Sequence, residues 1–314
     1  MESSTADDAE RVRRALRSRP VAWRPAARGG QTAAARWHVT LEDGSRAFVK
    51  IGATLDTAAW IRDEHLVYAQ LRGAPFMPRL LGWFDDPDVD RPVLAVEDLS
   101  EAYWPPPWEL GHVEAVLATL ELVHATPPPS DVARIDQRKI GLDGSWDEIE
   151  ADPGPFLRLG LCSPEWLERF LPALRDASAA ADVRGDRLLH LDVRSDNLCL
   201  REGAAILVDW NWACIGDPLF EVAAWLPSLH AEGGPPPEDV LPPGTLGLDG
   251  FAALVAGFFC LHAGKPDIPE APHVRPLQLS QARSALPWAA RALGLPPPSA
   301  SLLRGRCTCN PLLP

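Results

Sequence analysis

The rhythm of apolar positions changes near residue 100. Before it, from Val21 to Asp98, the pattern is strand-like; Trp37 to Leu41 and Ala47 to Ile51 flank Glu42-Asp43-Gly44-Ser45, a turn suited to a hairpin. A helix over about Thr57 to Leu71 interrupts these strands, and Arg79 to Phe84 and Pro92 to Val96 resume them. A polar start with Val12, Leu16 and several arginines predicts a short amphipathic helix over residues 5 to 18, packed outside the first lobe. Together these predict a small sheet with one helix inserted after its third strand.

Beyond Ser100 the spacing turns helical, over Val113 to His124, Pro164 to Ala181, Pro218 to Leu229, Phe251 to His262 and Leu277 to Leu293. The 33 prolines gather in runs at 105–107, 127–129, 235–237 and 296–298. Proline lacks an amide donor and clashes with the preceding turn, so these runs are loops. The expected organisation is α+β, with an N-terminal lobe over residues 1–99, a helical lobe over 100–295 and an irregular proline-rich tail over 296–314.

Composition narrows the classes of function. A chain of 314 residues with 46% apolar content is long enough for two packed units. A formal charge of −13 without clustered Lys and Arg argues against a nucleic-acid surface and favours cationic ligands. The longest apolar run, Phe251 to Leu261, is too short to cross a bilayer. No signal-peptide pattern opens the chain, and its six cysteines lack paired zinc spacing, so a soluble, cytoplasmic protein with reduced thiols is expected. Only Cys307 and Cys309 lie close together, where a redox or metal role is less expected than none. Just three of the 30 basic residues are lysines, Lys50, Lys139 and Lys265, so a lysine inside a strand is informative.

The candidate chemistry concentrates in His190-Leu-Asp192-Val-Arg194-Ser-Asp-Asn197-Leu-Cys-Leu, followed by Ala205-Ile-Leu-Val-Asp209-Trp. Leu198 to Leu200 and Ala205 to Val208 form a predicted hairpin around Arg201-Glu-Gly203, which brings Asp192, Asn197 and Asp209 into two adjoining loops. Magnesium is a hard cation that keeps several waters, so one amide and one carboxylate suffice beside nucleotide phosphates. A second carboxylate, free of metal, can then accept the proton of an attacking hydroxyl. In the phosphoryl-transfer template these positions make Asp192 the base and Asn197 and Asp209 the metal ligands.

These motifs resemble the protein-kinase-like superfamily, and within it the aminoglycoside-phosphotransferase branch, over residues 25 to 265. The branch usually shows His-Gly-Asp, and this chain has Leu191 in the glycine slot. Asp209-Trp210 and Gly216-Asp217-Pro218 with Glu221 also look like the branch, which often has Asp where Glu221 stands. The resemblance implies a bilobal kinase-like fold, with ATP and Mg2+ as cofactors and the hydroxyl of a small molecule as acceptor. His190 would hold the loop through hydrogen bonds to backbone. Arg194 would touch the transferred phosphate, or else be a solvated loop arginine.

The same resemblance implies the remaining site residues. Phe48 and Lys50 share a strand face; Phe48 would stack on adenine and Lys50 pair with the α- and β-phosphates, the alternative being a core residue and an edge charge. Glu64, Val67, Tyr68 and Leu71 follow i, i+3, i+4, i+7, which puts Glu64 on an inward stripe as the partner of Lys50; a solvated glutamate is the alternative. Gly30 and Thr32 would belong to the phosphate loop, the alternative being a plain turn; Glu97 and Leu99 would belong to the hinge over residues 93–100; and Trp104 with Asp217 and Glu221 would belong to the acceptor site, the alternative for Trp104 being lobe packing.

For an acidic chain, the resemblance to this branch implies as first acceptor a cationic antibiotic such as an aminoglycoside or a basic peptide. A sugar, an amino alcohol or a biosynthetic metabolite follows. A non-catalytic nucleotide-binding regulator is the reading from another class. No Asp-Phe-Gly or Ala-Pro-Glu element brackets an activation segment, so a protein kinase ranks last.

Overall fold

A computed structural model describes residues 2–26, 34–86, 89–138, 140–269 and 271–298. Gly30, Thr32, Lys139, Cys307 and Cys309 lie outside the described residues.

Helix α1 (Glu2–Leu16) leads into strands β1 (Pro20–Pro25), β2 (Ala35–Leu41) and β3 (Arg46–Ile51). Helix α2 (Leu55–Gln70) intervenes before β4 (Leu80–Asp86) and β5 (Val89–Glu97). The five strands form one antiparallel sheet in the order β1-β2-β3-β5-β4, with α2 inserted after the third strand.

Alternation along β3 sends Ala47, Val49 and Ile51 into a core with Val12 and Ala15 of α1. Phe48 and Lys50 face the opposite side. Helix α2 packs on that second face, and Thr54 and Thr57 fix its start by closing the first turn reciprocally, the Thr57 amide donating to Thr54 Oγ1 at 3.2 Å and the Thr54 amide to Thr57 Oγ1 at 2.8 Å. Its buried stripe includes Ile61, Glu64, Val67 and Tyr68.

After β5 the chain becomes mainly helical, through α3 (His112–Ala125), α4 (Ser145–Ala151), α5 (Gly154–Leu157) and α6 (Pro164–Ala180). Two short pairings follow, β6 (Arg187–Leu189) with β9 (Cys214–Gly216), and β7 (Leu198–Arg201) with β8 (Ala204–Leu207). Helices α7 (Pro218–Ala231), α8 (Pro237–Val240), α9 (Leu248–Gly264) and α10 (Val274–Ala292) complete the lobe.

Helix α9 is apolar on nearly every side and buried, so it forms the centre around which α6, α7 and α10 pack. At Gly257 an added Cβ would lie 2.7 Å from the Trp146 indole nitrogen, so only glycine lets the Trp146 ring lie against the helix and donate to the Ala253 carbonyl at 2.9 Å. A backbone bond ties the sheet side to the helical lobe, the Leu207 amide donating to the Phe76 carbonyl at 2.8 Å, and the segment after β5 is held to β7 by the Leu200 amide donating to the Tyr103 carbonyl at 2.7 Å. No helix among the described residues is long and apolar enough to cross a membrane.

Candidate active site

The β7–β8 hairpin fixes the centre of the site. The Val208 amide donates to the Asn197 carbonyl at 2.8 Å, which holds the end of the 192–197 loop against the residue that precedes Asp209. Asn197 Nδ2 donates to the Asp192 carbonyl at 2.9 Å and to Asp192 Oδ2 at 2.7 Å. Its Oδ1 carries no hydrogen bond among the described residues.

Lys50 closes the site from the sheet. Its Nζ donates to both oxygens of Glu64, at 2.9 and 2.8 Å, and to Asp209 Oδ1 at 2.8 Å. Glu64 is only 2% exposed, as the i, i+3, i+4 stripe requires. Burial works against the charge on Lys50, but Asp209 and Glu64 outweigh it and hold the ammonium pKa above its ordinary value. Burial likewise opposes ionisation of Asp209, and Lys50 more than offsets it, so this carboxylate stays below the usual range.

The Asn211 side-chain nitrogen, oriented to satisfy both its polar atoms, donates to the Asp209 carbonyl and to Oδ1, each at 3.1 Å. Oδ1 is thereby committed, and Oδ2 carries no hydrogen bond among the described residues. Asn197 Oδ1 and Asp209 Oδ2 are thus two hard oxygen donors in adjoining loops, a set that fits a magnesium ion whose shell is completed by phosphates and water. No cluster of three or more His, Cys, Asp or Glu side chains suited to a metal occurs among the described residues.

Asp192 is held differently. Burial raises its carboxyl pKa, while Arg194 Nη2 at 3.3 Å acts in the opposite direction. Arg194 Nε lies 2.9 Å from Asp196, so the guanidinium spans both acids rather than pointing into solvent.

The preceding residue, Leu191, has φ +65°, the left-handed conformation that a glycine adopts freely. The chain departs from glycine in sequence yet keeps the backbone shape. Two contacts explain how: the Leu191 amide donates to Glu221 Oε1 at 2.6 Å, and the Asp192 amide to His190 Nδ1 at 3.3 Å. His190 in turn donates from Nε2 to the Val208 carbonyl at 2.8 Å, fully buried and with its pKa lowered by that burial.

Two cavities meet at Arg36, Lys50, Glu64 and Asp209. The smaller, of about 580 Å3, is lined by Phe48 and by the hinge residues Val96, Glu97 and Leu99. The larger, of about 800 Å3, contains Asp192 and Arg194 and runs into the helical lobe.

Three expected site residues lie elsewhere than the sequence suggested. Trp104 lines the smaller, hinge-side cavity, with its indole donating to the Leu99 carbonyl at 3.0 Å, so it is not a wall of the larger one. Asp217 caps α7, accepting from the Leu219 amide at 2.7 Å and the Phe220 amide at 3.3 Å. Glu221 is 1% exposed, and its second oxygen lies 2.6 Å from His124 Nε2. Both acids are consumed by the scaffold and line neither cavity. Glu97 lines the hinge with its carboxylate turned outward to Arg201, at 2.8 Å.

The sequence reading missed Arg36, which faces Lys50 across the β2–β3 ladder, and Asn211. It also missed Glu232, which accepts from Ser195 Oγ at 2.6 Å and from the Trp108 indole at 3.3 Å, tying the loop to the end of α7. No local motif marks any of the three.

Residues 23–254 match the sequence model of the phosphotransferase enzyme family. No curated protein matches the chain. Among solved structures, the fold is similar to a thermostable mutant of aminoglycoside phosphotransferase APH(4)-Ia in ternary complex with ADP and hygromycin B, at TM-score 0.56 and 14% identity over 93% of this chain and 98% of that one. It is also similar to a putative fructosamine-3-kinase from Thermobifida fusca, at TM-score 0.53 and 19% identity over 88% and 98% of the two chains. A third is macrolide 2'-phosphotransferase type I, at TM-score 0.52 and 16% identity over 94% and 93%. At these identities the likeness is one of fold.

Proposed function

The chain belongs to the phosphotransferase enzyme family, and from that premise we propose that it transfers the γ-phosphate of ATP to a hydroxyl of a small molecule, with Asp192 as the base. The observation that carries this reading is the convergence of Lys50, Glu64 and Asp209 beside the loop that holds Asp192 and Asn197. Phe48, Glu97 and Leu99 line the cavity in which adenine would sit, and Lys50, fixed by Glu64, would meet the phosphates.

Asn197 and Asp209 would hold Mg2+, which when bound neutralises charge developing on the phosphates. The protein's own contribution is mostly positioning. Asn197 Nδ2 fixes the Asp192 carboxylate, whose free oxygen would accept the proton as the acceptor hydroxyl attacks the γ-phosphorus in line with the departing ADP oxygen. Arg194, within 3.3 Å of Asp192, is placed to balance charge in the same loop.

Net charge favours a cationic acceptor, and the family resemblance makes a cationic antibiotic the first such candidate. Asp217 and Glu221, the acids expected to receive its amines, are instead used to cap α7 and to hold the Leu191 amide. The experiment is Asp192→Asn assayed with labelled ATP, Mg2+ and a panel of hydroxylated compounds. Turnover should fall by ~10²–10⁴, the usual weight of a general base, with nucleotide binding retained. Full turnover in the variant would refute the assignment.

A further inference from the structure

The side chains of the larger cavity bear on which acceptor is used. Beyond Asp192 its wall is built from three helices, with Phe220 of α7, Val255, Phe258 and Phe259 of α9, and Val274 and Leu277 of α10. The polar side chains among them are neutral. Gln281 Nε2 donates to Ser228 Oγ at 2.7 Å, and Gln278 Oε1 accepts from Arg275 at 2.8 Å.

The described carboxylates on the cavity are Asp56, Glu64, Asp192 and Asp209. Glu64 and Asp209 are committed to Lys50, Asp192 is bonded to Asn197 with Arg194 beside it, and Asp56 is exposed at the start of α2. No described acid therefore stands on the α7–α9–α10 wall to receive an ammonium group. An amine placed there would lose its hydration without gaining a charged partner among the described residues. A cavity of about 800 Å3 is large enough for a bulky ligand after the phosphate end is occupied.

We infer that the acceptor is an alcohol carried on a bulky apolar body with at most one positive charge, its hydroxyl held at Asp192 and its body lying against α7, α9 and α10. This rests on the phosphotransferase reading and narrows it. The phosphoryl group passes from ATP to the acceptor oxygen, ADP leaves, and the hydroxyl proton goes to Asp192, so the balance is that of the parent reaction. Specificity comes from the wall, because an apolar surface gains nothing from a compact sugar and strips water from a polycation.

The test uses the full chain with labelled ATP and Mg2+, and a library of hydroxylated compounds sorted by charge and octanol–water partition. The library holds neutral and monobasic macrocyclic and polycyclic alcohols, simple sugars, amino alcohols and polycationic aminoglycosides. The apolar group should contain the best acceptors, with kcat/KM about 10- to 100-fold above the polar and polycationic groups, the range that burying one large apolar group supplies. Phe258→Glu and Leu277→Glu, at partly exposed wall positions, should each raise KM for the best neutral apolar acceptor about 10-fold or more while kcat changes less, since the body would have to cover and desolvate an unpaired carboxylate far from the reacting hydroxyl. Phe258→Leu should restore KM to near the parent value.

A sugar or an aminoglycoside as the best acceptor would overturn the inference, and so would an unchanged KM in both glutamate variants. Hydrolysis of ATP to water with no apolar compound accepted would overturn it while leaving the phosphotransferase reading in place. Absence of any ATP turnover, to acceptor or to water, would remove that reading and this inference with it.

Discussion

Leu191 occupies a left-handed backbone conformation, φ +65°, that costs a non-glycine residue about 1–2 kcal/mol. The Glu221 carboxylate at 2.6 Å from its amide maintains that shape against the strain. Leu191→Gly relieves the strain but loosens the unfolded chain by about 0.5–1 kcal/mol and gives up the leucine's packing. The net change should be within about 1 kcal/mol, with activity kept. Leu191→Val adds a second branch at Cβ where φ is positive and should cost about 1–2 kcal/mol more than the glycine variant. Denaturant unfolding of the three proteins gives the order, and a valine variant as stable as the parent would show that the loop is not strained.

His190 contributes a pH dependence to the same loop. Its folded pKa lies below the ordinary 6.5 because burial disfavours the imidazolium. When a histidine pKa is depressed by folding, the unfolded chain takes up the proton first as pH falls. Its full contribution to stability is therefore present above pH ~6.5 and is lost progressively as pH drops below that value toward the folded pKa, at up to about 1.4 kcal/mol per pH unit. His190→Gln removes the titrating group while keeping a donor that can reach the Val208 carbonyl, so its stability should fall less steeply below pH ~6.5 than that of the parent. Parallel slopes would place the titration elsewhere.

At the scale of elements, β3, α2 and the loop that follows β8 meet through one cation and two acids. Replacing a member of a buried ion group leaves its partners uncompensated, typically at a cost of about 3–5 kcal/mol. Lys50→Met strands both Glu64 and Asp209 and should fall in that range. Adding Glu64→Leu removes one stranded acid and rebuilds an apolar contact, so the double variant should return to within about 2 kcal/mol of the parent, still without activity. Unfolding measurements and an ATP turnover assay separate the two effects; a double variant less stable than Lys50→Met would contradict this account of the pairing.

That pair was legible in the sequence because two periods specify it. Alternation on β3 places Phe48 and Lys50 on one face, and the 3.6-residue repeat of α2 turns Glu64 inward. The hairpin around Arg201-Glu202-Gly203 was legible for the same reason, and with it the adjacency of the Asn197 and Asp209 loops. Arg36 was not, because cross-strand register is set by tertiary pairing. Asp217 and Glu221 show the limit from the other side. Their charge and motif could be read, but not that a helix amide and the Leu191 amide would claim their oxygens. Helices α4 and α5, of seven and four residues, are too short for periodicity to mark.

For the whole molecule, the charge of −13 and the apolar acceptor wall make opposite demands. An acidic protein draws polycations toward itself, and such steering weakens as salt shortens the screening length from about 30 Å at 0.01 M to about 3 Å at 1 M. A neutral acceptor feels none of this. It enters the α7–α9–α10 wall by burial of apolar surface, which salt screening leaves intact. With Mg2+ and ATP saturating, kcat/KM for the best acceptor should therefore change by less than about 3-fold between roughly 0.02 and 0.5 M salt, whereas a polycationic acceptor steered by the surface should lose about 10-fold or more. The acceptor-dependent rate measured across that salt series, corrected for ATP hydrolysis to water, discriminates the two. A steep decline with salt would mean that the acidic surface, and not the apolar wall, selects what this kinase phosphorylates.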